Sequence, residues 1–283
     1  MGTLYLVATP IGNLEDISAR ALRVLREVPL IAAEDTRHTG TMLRHFGITT
    51  PLVSYHAHNE RSRRDHLLDL LATGDLALVT DAGSPGISDP GHDLVAAAAA
   101  AGFSITAVPG PSAVIAAVGI SGLVPGPFLV LGFLPRRGPE RRSAIGHAAA
   151  SPYPIVLFEA PTRVGPTLAE LASVLGDRQV TVHRELTKVH EETRRGSLSS
   201  LAEAYAGQDA RGEVVVVIGA PEATPPGADD ATAVLLGLLR AGLGPSQAAR
   251  EAAVITGLPR ASLYDHARQL RDSVPGLNET GSG

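Results

Sequence analysis

Residues 1–122 alternate short apolar runs with longer stretches whose apolar positions recur every three or four residues. The runs at 4–8, 30–33, 76–80 and 104–108 read as strands. Between them, 17–28 sets Leu22 and Leu25 on one face and Arg20, Arg23 and Arg26 on the other, which predicts an amphipathic helix. The stretch 59–72 predicts another, burying Leu67, Leu68 and Leu71, and 90–101 a third, opened by Pro90. Strands separated by helices imply a largely parallel sheet and an α/β fold.

A second α/β unit follows Pro125-Gly126-Pro127, with strands expected at 128–132, 155–158, 179–184 and 214–218 and a helix at 164–175. A linker rich in Pro, Gly and Ala at 220–228 precedes two short helices, 246–256 and 260–270. Ser246 is the expected N-cap of the first and Gly257 its stop, a helix–turn–helix pattern. The organisation expected is therefore an N-terminal α/β domain at 1–122, a second at 123–220, a helical module at 229–273 and a disordered tail at 274–283.

Composition narrows the chemistry. The chain has no cysteine, which removes disulfides, zinc knuckles, iron–sulfur sites and thiol nucleophiles and fits a reducing compartment. No basic-then-apolar leader opens it, and its most apolar stretch, 94–101, is far short of the roughly 20 residues a membrane span needs. A cytoplasmic protein without a membrane partner is expected. Net charge is −5, which does not announce a nucleic-acid binder. Arginine nevertheless clusters at 61, 63 and 64, at 136, 137, 141 and 142, and at 194 and 195, each cluster being either a solvated face or a phosphate contact. With 4% aromatics and no tryptophan, a stacking platform is not expected to dominate any RNA contact. Lys188 is the only lysine among 24 Lys and Arg residues, and lysine, unlike arginine, can give up its proton.

Ligands of open α/β sheets bind at the carboxyl ends of strands. Four such ends carry distinctive loops: Thr9-Pro10-Ile11-Gly12-Asn13, Glu34-Asp35-Thr36-Arg37, residues 81–91, and Pro109-Gly110-Pro111-Ser112-Ala113. In the third, Gly83, Gly86 and Gly91 admit a ligand close to the backbone while Pro85 and Pro90 stiffen it. No G-x-G-x-x-G follows a strand and no P-loop, H-E-x-x-H or G-x-S-x-G motif occurs, so the common dinucleotide, nucleotide, metalloprotease and hydrolase readings lose support.

These loops, in order, resemble the tetrapyrrole-methylase superfamily, and more closely its ribosomal RNA small-subunit methyltransferase I branch, the cytidine 2′-O-methyltransferases. The runs 54–60, 158–163 and 184–188 and the terminal helix pair resemble that branch too. The resemblance implies two α/β domains with S-adenosyl-L-methionine in the cleft between them, a homodimer, and a decoding-site cytidine of 16S rRNA, as free RNA or in the small ribosomal subunit, as acceptor. Carried over by motif, Pro10, Ala82, Gly83, Ser84, Ile87, Ser112 and Ala113 line the cofactor pocket, joined by Glu159 and Leu186 from the second domain. Tetrapyrrole-modifying relatives carry Gly-Asp-Pro where this chain has Gly83-Ser84-Pro85, a departure that favours the RNA branch and leaves the role of the Ser84 side chain open.

A ribose hydroxyl is weakly acidic, so a base or a cation beside the forming alkoxide is expected. Candidates are Lys188 first, then Glu34, Asp35 and His56, with His58 and Glu185 behind them. Glu185, Glu191 and Glu192, if close, would keep Lys188 protonated. No metal is expected: His56 and His58 point opposite ways on a strand, and methyl transfer needs none. Two rival readings stand beside this one. A tetrapyrrole C-methyltransferase of the same fold predicts no terminal helical module; a non-catalytic nucleic-acid-binding regulator leaves the loops unexplained.

Overall fold

A computed structural model describes residues 2–86, 89–207, 212–222 and 228–273 of the 283. Ile87, most of the expected linker and the tail 274–283 lie outside them. The chain divides into two compact units, Met1–Pro221 and Glu222–Gly283.

The first unit holds two lobes, each built on a five-stranded sheet. Lobe one contains β1 (Thr3–Val7), α1 (Ala19–Glu27), β2 (Leu30–Ala33), α2 (Thr36–His45), β3 (Leu52–Ser54), α3 (Glu60–Thr73), β4 (Leu76–Val79), α4 (His92–Ala100), β5 (Ser104–Val108) and α5 (Ala113–Ser121). Its sheet runs β3-β2-β4-β1-β5 with every pair parallel. β2, β4, β1 and β5 are consecutive, so the four loops singled out above leave the carboxyl edge side by side. Apolar strands fill both faces: Val7, Ile31, Ala77 and Val108 pack with α1 and α2, while Leu4, Leu76 and Leu78 pack with α3 and α4.

Lobe two contains β6 (Leu129–Phe133), α6 (Pro139–Ala150), β7 (Ile155–Glu159), α7 (Val164–Leu175), β8 (Gln179–Arg184), β9 (Glu192–Ser197), α8 (Leu198–Ala204) and β10 (Val214–Ile218). Its sheet runs β6-β7-β10-β8-β9, parallel only between β6 and β7. α5 closes lobe one in sequence but packs on lobe two: Val114 and Ala117 share a buried cluster with Ile11, Val156, Leu186, Val215 and Val217. Each large aliphatic side chain buried there contributes about 1.5–3 kcal/mol, which binds the lobes into one body.

Several elements escape the hydrophobic pattern. α5 is apolar on every side, so it has no amphipathic period. β9 is polar because it is an edge strand with half-exposed side chains. Residues 34–37 are not an extended loop: Asp35 caps α2 by accepting from the Arg37 and His38 amides. Pro90 does not open α4, which begins at His92.

The second unit is a helical module of α9 (Ala228–Arg240), α10 (Pro245–Thr256) and α11 (Arg260–Ser273) around Leu235, Leu239, Ala249, Ala252, Leu263 and Ala267. α10 is capped by Gly244 with Pro245 in its first turn, two residues before the expected Ser246, and Gly257 ends it with φ +68°. No helix among the described residues is long and apolar enough to cross a membrane.

Candidate active site

The loops of lobe one meet lobe two around a cavity of about 330 Å³. Ala82, Gly83, Ser84, Ser112 and Ala113 line it from lobe one, and Glu159 and Leu186 from lobe two. Pro10 is buried and does not line it; its neighbour Ile11 does. Gly83 is held by two backbone bonds: the Thr9 amide donates to its carbonyl at 2.9 Å and its own amide donates to Thr9 at 3.1 Å. Its φ of +78° is one that glycine alone adopts freely. Ser112 caps α5 by accepting from the Ile115 amide at 3.4 Å, and Ser112, Ala113 and Val114 set the N-terminal turn of that helix against the cavity.

Glu159 is almost fully buried, and its carboxylate is fully engaged. It accepts from the Ala160 amide at 2.8 Å and the Thr167 hydroxyl at 2.6 Å, and lies 3.3 Å from Arg163. Thr167 in turn accepts from Arg141, which also bonds Glu170 and the Pro135 carbonyl. This network fixes the loops that follow β6 and β7. Arg141 therefore belongs to the interior of lobe two, whereas Arg136, Arg137 and Arg142 are exposed.

Of the acid–base candidates, only Glu34 reaches the cavity. There it joins two carboxylates missed in the sequence, Asp81 and Asp89. Burial pushes the Glu34 carboxyl up against a hydrogen bond from the Asp81 amide. Asp89 is pushed up to about 6, by burial first and then by the charges of Glu34 and Asp81. Both aspartates lie in the loop 81–91; what the sequence hides is that β2 and β4 are neighbours, which brings Glu34 beside them.

Asp35 is spent on its helix. The Arg37 side chain, then the Arg37 and His38 amides, hold its carboxyl down at about 2. His56 lies outside the cavity lining, with its ring edge-on to His58 at 5.9 Å. Among the described residues no group of three or more acidic or histidine side chains is arranged to hold a metal ion.

Lys188 also stands outside the lining. Its Nζ donates to Glu185 at 2.9 Å and to Glu213 at 3.1 Å, and Glu213 borders the cavity. Its stem crosses Gly12 of lobe one, where any Cβ would collide with it. Glu191 and Glu192 are engaged elsewhere, with the Thr187 amide and with Arg184 and Arg194. Burial works to lower the Lys188 pKa, but the bonds to Glu185 and Glu213 prevail and raise it. Paired with two carboxylates, the ammonium is held as a cation, which favours an electrostatic role for Lys188 over that of a base. Glu185 and Thr187 both take left-handed conformations, with φ +54° and +66°, and bracket Leu186; such strain persists only where neighbours impose it.

Comparison with known proteins gives this geometry its relatives. The family model described as Tetrapyrrole (Corrin/Porphyrin) Methylases matches residues 3–202, and that described as RsmI C-terminal HTH domain matches 225–271. The chain is 46% identical over 273 residues to ribosomal RNA small subunit methyltransferase I of Xylella fastidiosa strain Temecula1, covering 93% of this chain and 98% of that one. It is 46% identical over 275 residues to the protein of that name from a Synechocystis species, covering 95% and 99%. The fold is shared with uroporphyrin-III C-methyltransferase of Thermus thermophilus, solved in complex with S-adenosyl homocysteine, at TM-score 0.55 and 20% identity over 77% of this chain and 97% of that one. Diphthine synthase matches at TM-score 0.59 and 18% identity over 77% and 90%.

Proposed function

The chain belongs to the tetrapyrrole methylase family, and within it to the ribosomal RNA small subunit methyltransferase I proteins, and from that premise we propose that it transfers a methyl group from S-adenosyl-L-methionine to the ribose 2′-hydroxyl of a decoding-site cytidine in 16S rRNA. The observation that carries this reading is the convergence of four strand-end loops of lobe one on a cavity closed by lobe two. The residues around it fit the cofactor. Glu34, Asp81 and Asp89 complement a cationic sulfonium and ammonium, the first turn of α5 suits a carboxylate, and Ile11, Leu186 and Val215 offer apolar surface to an adenine ring. Bound there, the cofactor supplies an electrophilic methyl group. The chain's part is to hold the acceptor oxygen in line with it and to take the hydroxyl proton. We assign that proton to Asp89, which lines the cavity and whose carboxyl, pushed up to about 6, is ionised at neutral pH and a better base than an ordinary aspartate. The same reading makes the chain a cytoplasmic enzyme that acts as a homodimer.

The test is transfer of tritium from labelled cofactor to small ribosomal subunits and to free RNA, followed by nucleoside mass spectrometry. We expect label in 2′-O-methylcytidine; label on a base atom, or none, refutes the reading. The tetrapyrrole alternative loses weight to the terminal module and to Ser84, and a tetrapyrrole acceptor assay run in parallel decides it.

Two further outcomes follow. Lys188→Ala weakens cofactor binding by about 10-fold, because it frees Glu185 and Glu213 from the cation that orders them, whereas kcat at saturating cofactor falls less. A pH–rate profile of Lys188→Arg with the wild-type inflections excludes lysine as the base; loss of a limb restores it. Replacing Arg136, Arg137 and Arg142 by alanine lowers RNA affinity and reduces the slope of log K against log salt by about 0.7–0.9 per lost phosphate contact. Arg141 is left out because its removal breaks the network behind Glu159. An unchanged slope would identify those three arginines as a solvated face.

A further inference from the structure

β6 carries a bulge that redirects one side chain. Leu129 and Val130 lie opposite Ile155 and Val156 of β7, but Gly132 and Phe133 lie opposite Leu157 and Phe158, so one residue, Leu131, is extra. Gly132 makes the bulge possible with φ +65°. With regular pairing Phe133 would fall opposite Glu159, on the sheet face where Ile155 and Leu157 pack beneath α6 and α7. The bulge turns it instead to the face of Val156 and Phe158, which borders the cavity. Its ring centroid lies 5.2 Å from that of Phe158, both rings line the cavity, and yet Phe133 is 62% exposed.

That exposure needs a reason. The chain has five phenylalanines, five tyrosines and no tryptophan, and the bulge takes one of these few aromatic rings out of a position that would bury it. The next exposed side chains in sequence are Arg136 and Arg137, with Arg142 one turn into α6. An open aromatic face followed by exposed guanidinium groups is the pairing that receives single-stranded nucleic acid, bases on the rings and phosphates on the cations. A nucleotide whose ribose is to enter a cavity must leave its own stack, and its base then needs a new partner.

We propose that Phe133, backed by Phe158, is the stacking surface for the acceptor nucleobase and so a positioning residue for methyl transfer. This rests on the reading that the chain methylates an RNA ribose. An adenine ring of the cofactor is the other planar ring in reach. The acceptor base is favoured because Phe133 stands on the edge strand of lobe two, exposed and leading into the arginines, whereas Ile11, Leu186 and Val215 offer the adenine a buried apolar surface.

The experiment compares wild type with Phe133→Ala, Phe133→Leu and Phe133→Tyr. It measures KM and kcat for the RNA substrate, cofactor affinity by isothermal titration, and oligomeric state by light scattering. A single-stranded oligoribonucleotide carrying pyrrolocytidine, whose fluorescence drops on stacking, gives a binding signal independent of turnover. Phe133→Ala and Phe133→Leu are expected to raise acceptor KM about 10-fold or more and to lose the fluorescence drop, with cofactor affinity unchanged within about twofold. Phe133→Tyr, which keeps the ring, restores both. Because Phe133 is exposed, all three variants fold. Loss of cofactor affinity in Phe133→Ala would assign the ring to adenine and overturn the proposal. So would wild-type behaviour of Phe133→Leu, which would make the contact merely apolar, or a change in oligomeric state, which would make it a subunit contact. Unchanged acceptor KM beside normal wild-type transfer sinks the proposal alone; absence of transfer by the wild type sinks the functional reading with it.

Discussion

Asp89→Asn lowers the rate of methyl transfer by about 100-fold or more at neutral pH, while cofactor affinity falls by no more than about 10-fold. The asymmetry follows from what the carboxylate does. As one of three acids it contributes only part of the field felt by a cationic cofactor, but its carboxyl, pushed up to about 6, is a stronger base than an ordinary aspartate and still ionised at neutral pH. Burial first, and then the charges of Glu34 and Asp81, push its pKa up to about 6. Below that value Asp89 carries its proton and cannot accept another, so the wild-type rate rises with pH up to about 6 and levels off above it. In Asp89→Asn that limb disappears. The same shift has a consequence for stability. The folded state holds the Asp89 proton more tightly than the unfolded chain, whose value is near 3.8, so stability falls as pH rises from about 4 to about 6. Asp89→Asn removes that loss, and its Tm at neutral pH equals or exceeds wild type. A variant that keeps the acid limb at a normal rate would show that the proton leaves by another route, with Glu34 the next residue to replace.

Gly83→Val abolishes cofactor binding, with an affinity loss of about 100-fold or more, and lowers stability by about 1–3 kcal/mol. The two effects have separate causes. The stability loss comes from forcing a β-branched residue to φ +78° within a backbone bridge to Thr9. The binding loss comes from two methyl groups beside a backbone that lines the cavity. Gly83→Ala separates them, since it keeps most of the strain but adds only a Cβ, which meets Ile11 at an ordinary 3.6 Å. Isothermal titration against thermal unfolding of both variants checks this. If Gly83→Val stays folded and binds normally, the loop 81–91 does not hold the cofactor.

The residues drawn from motif mostly meet at one place: Ala82, Gly83, Ser84, Ser112, Ala113, Glu159 and Leu186 all line the cavity. They were legible through the family's motifs, and in the loop 81–91 also because glycines there let a backbone approach a ligand closely. The acid–base candidates were not legible in the same way. Asp35 and Glu34 are neighbours in the chain, yet one caps a helix and the other enters the cavity. Lys188 stood out by composition, yet two glutamates, one of them 25 residues away, keep it charged. A side chain's chemistry depends on what faces it, and those neighbours are mostly distant in sequence.

The sequence by itself determined the strands and helices with a clean period, the loops at their ends, the family and a C-terminal helical module, expected at 229–273 beside a family match at 225–271. All of these are set by local periodicity, turn chemistry and motif. Tertiary structure alone decided that β2, β4, β1 and β5 lie side by side, that α5 serves lobe two, and that a bulge at Leu131 turns Phe133 toward the cavity. Strand order and register are fixed by which apolar faces can be buried together, a property of the whole packed body that no single segment carries.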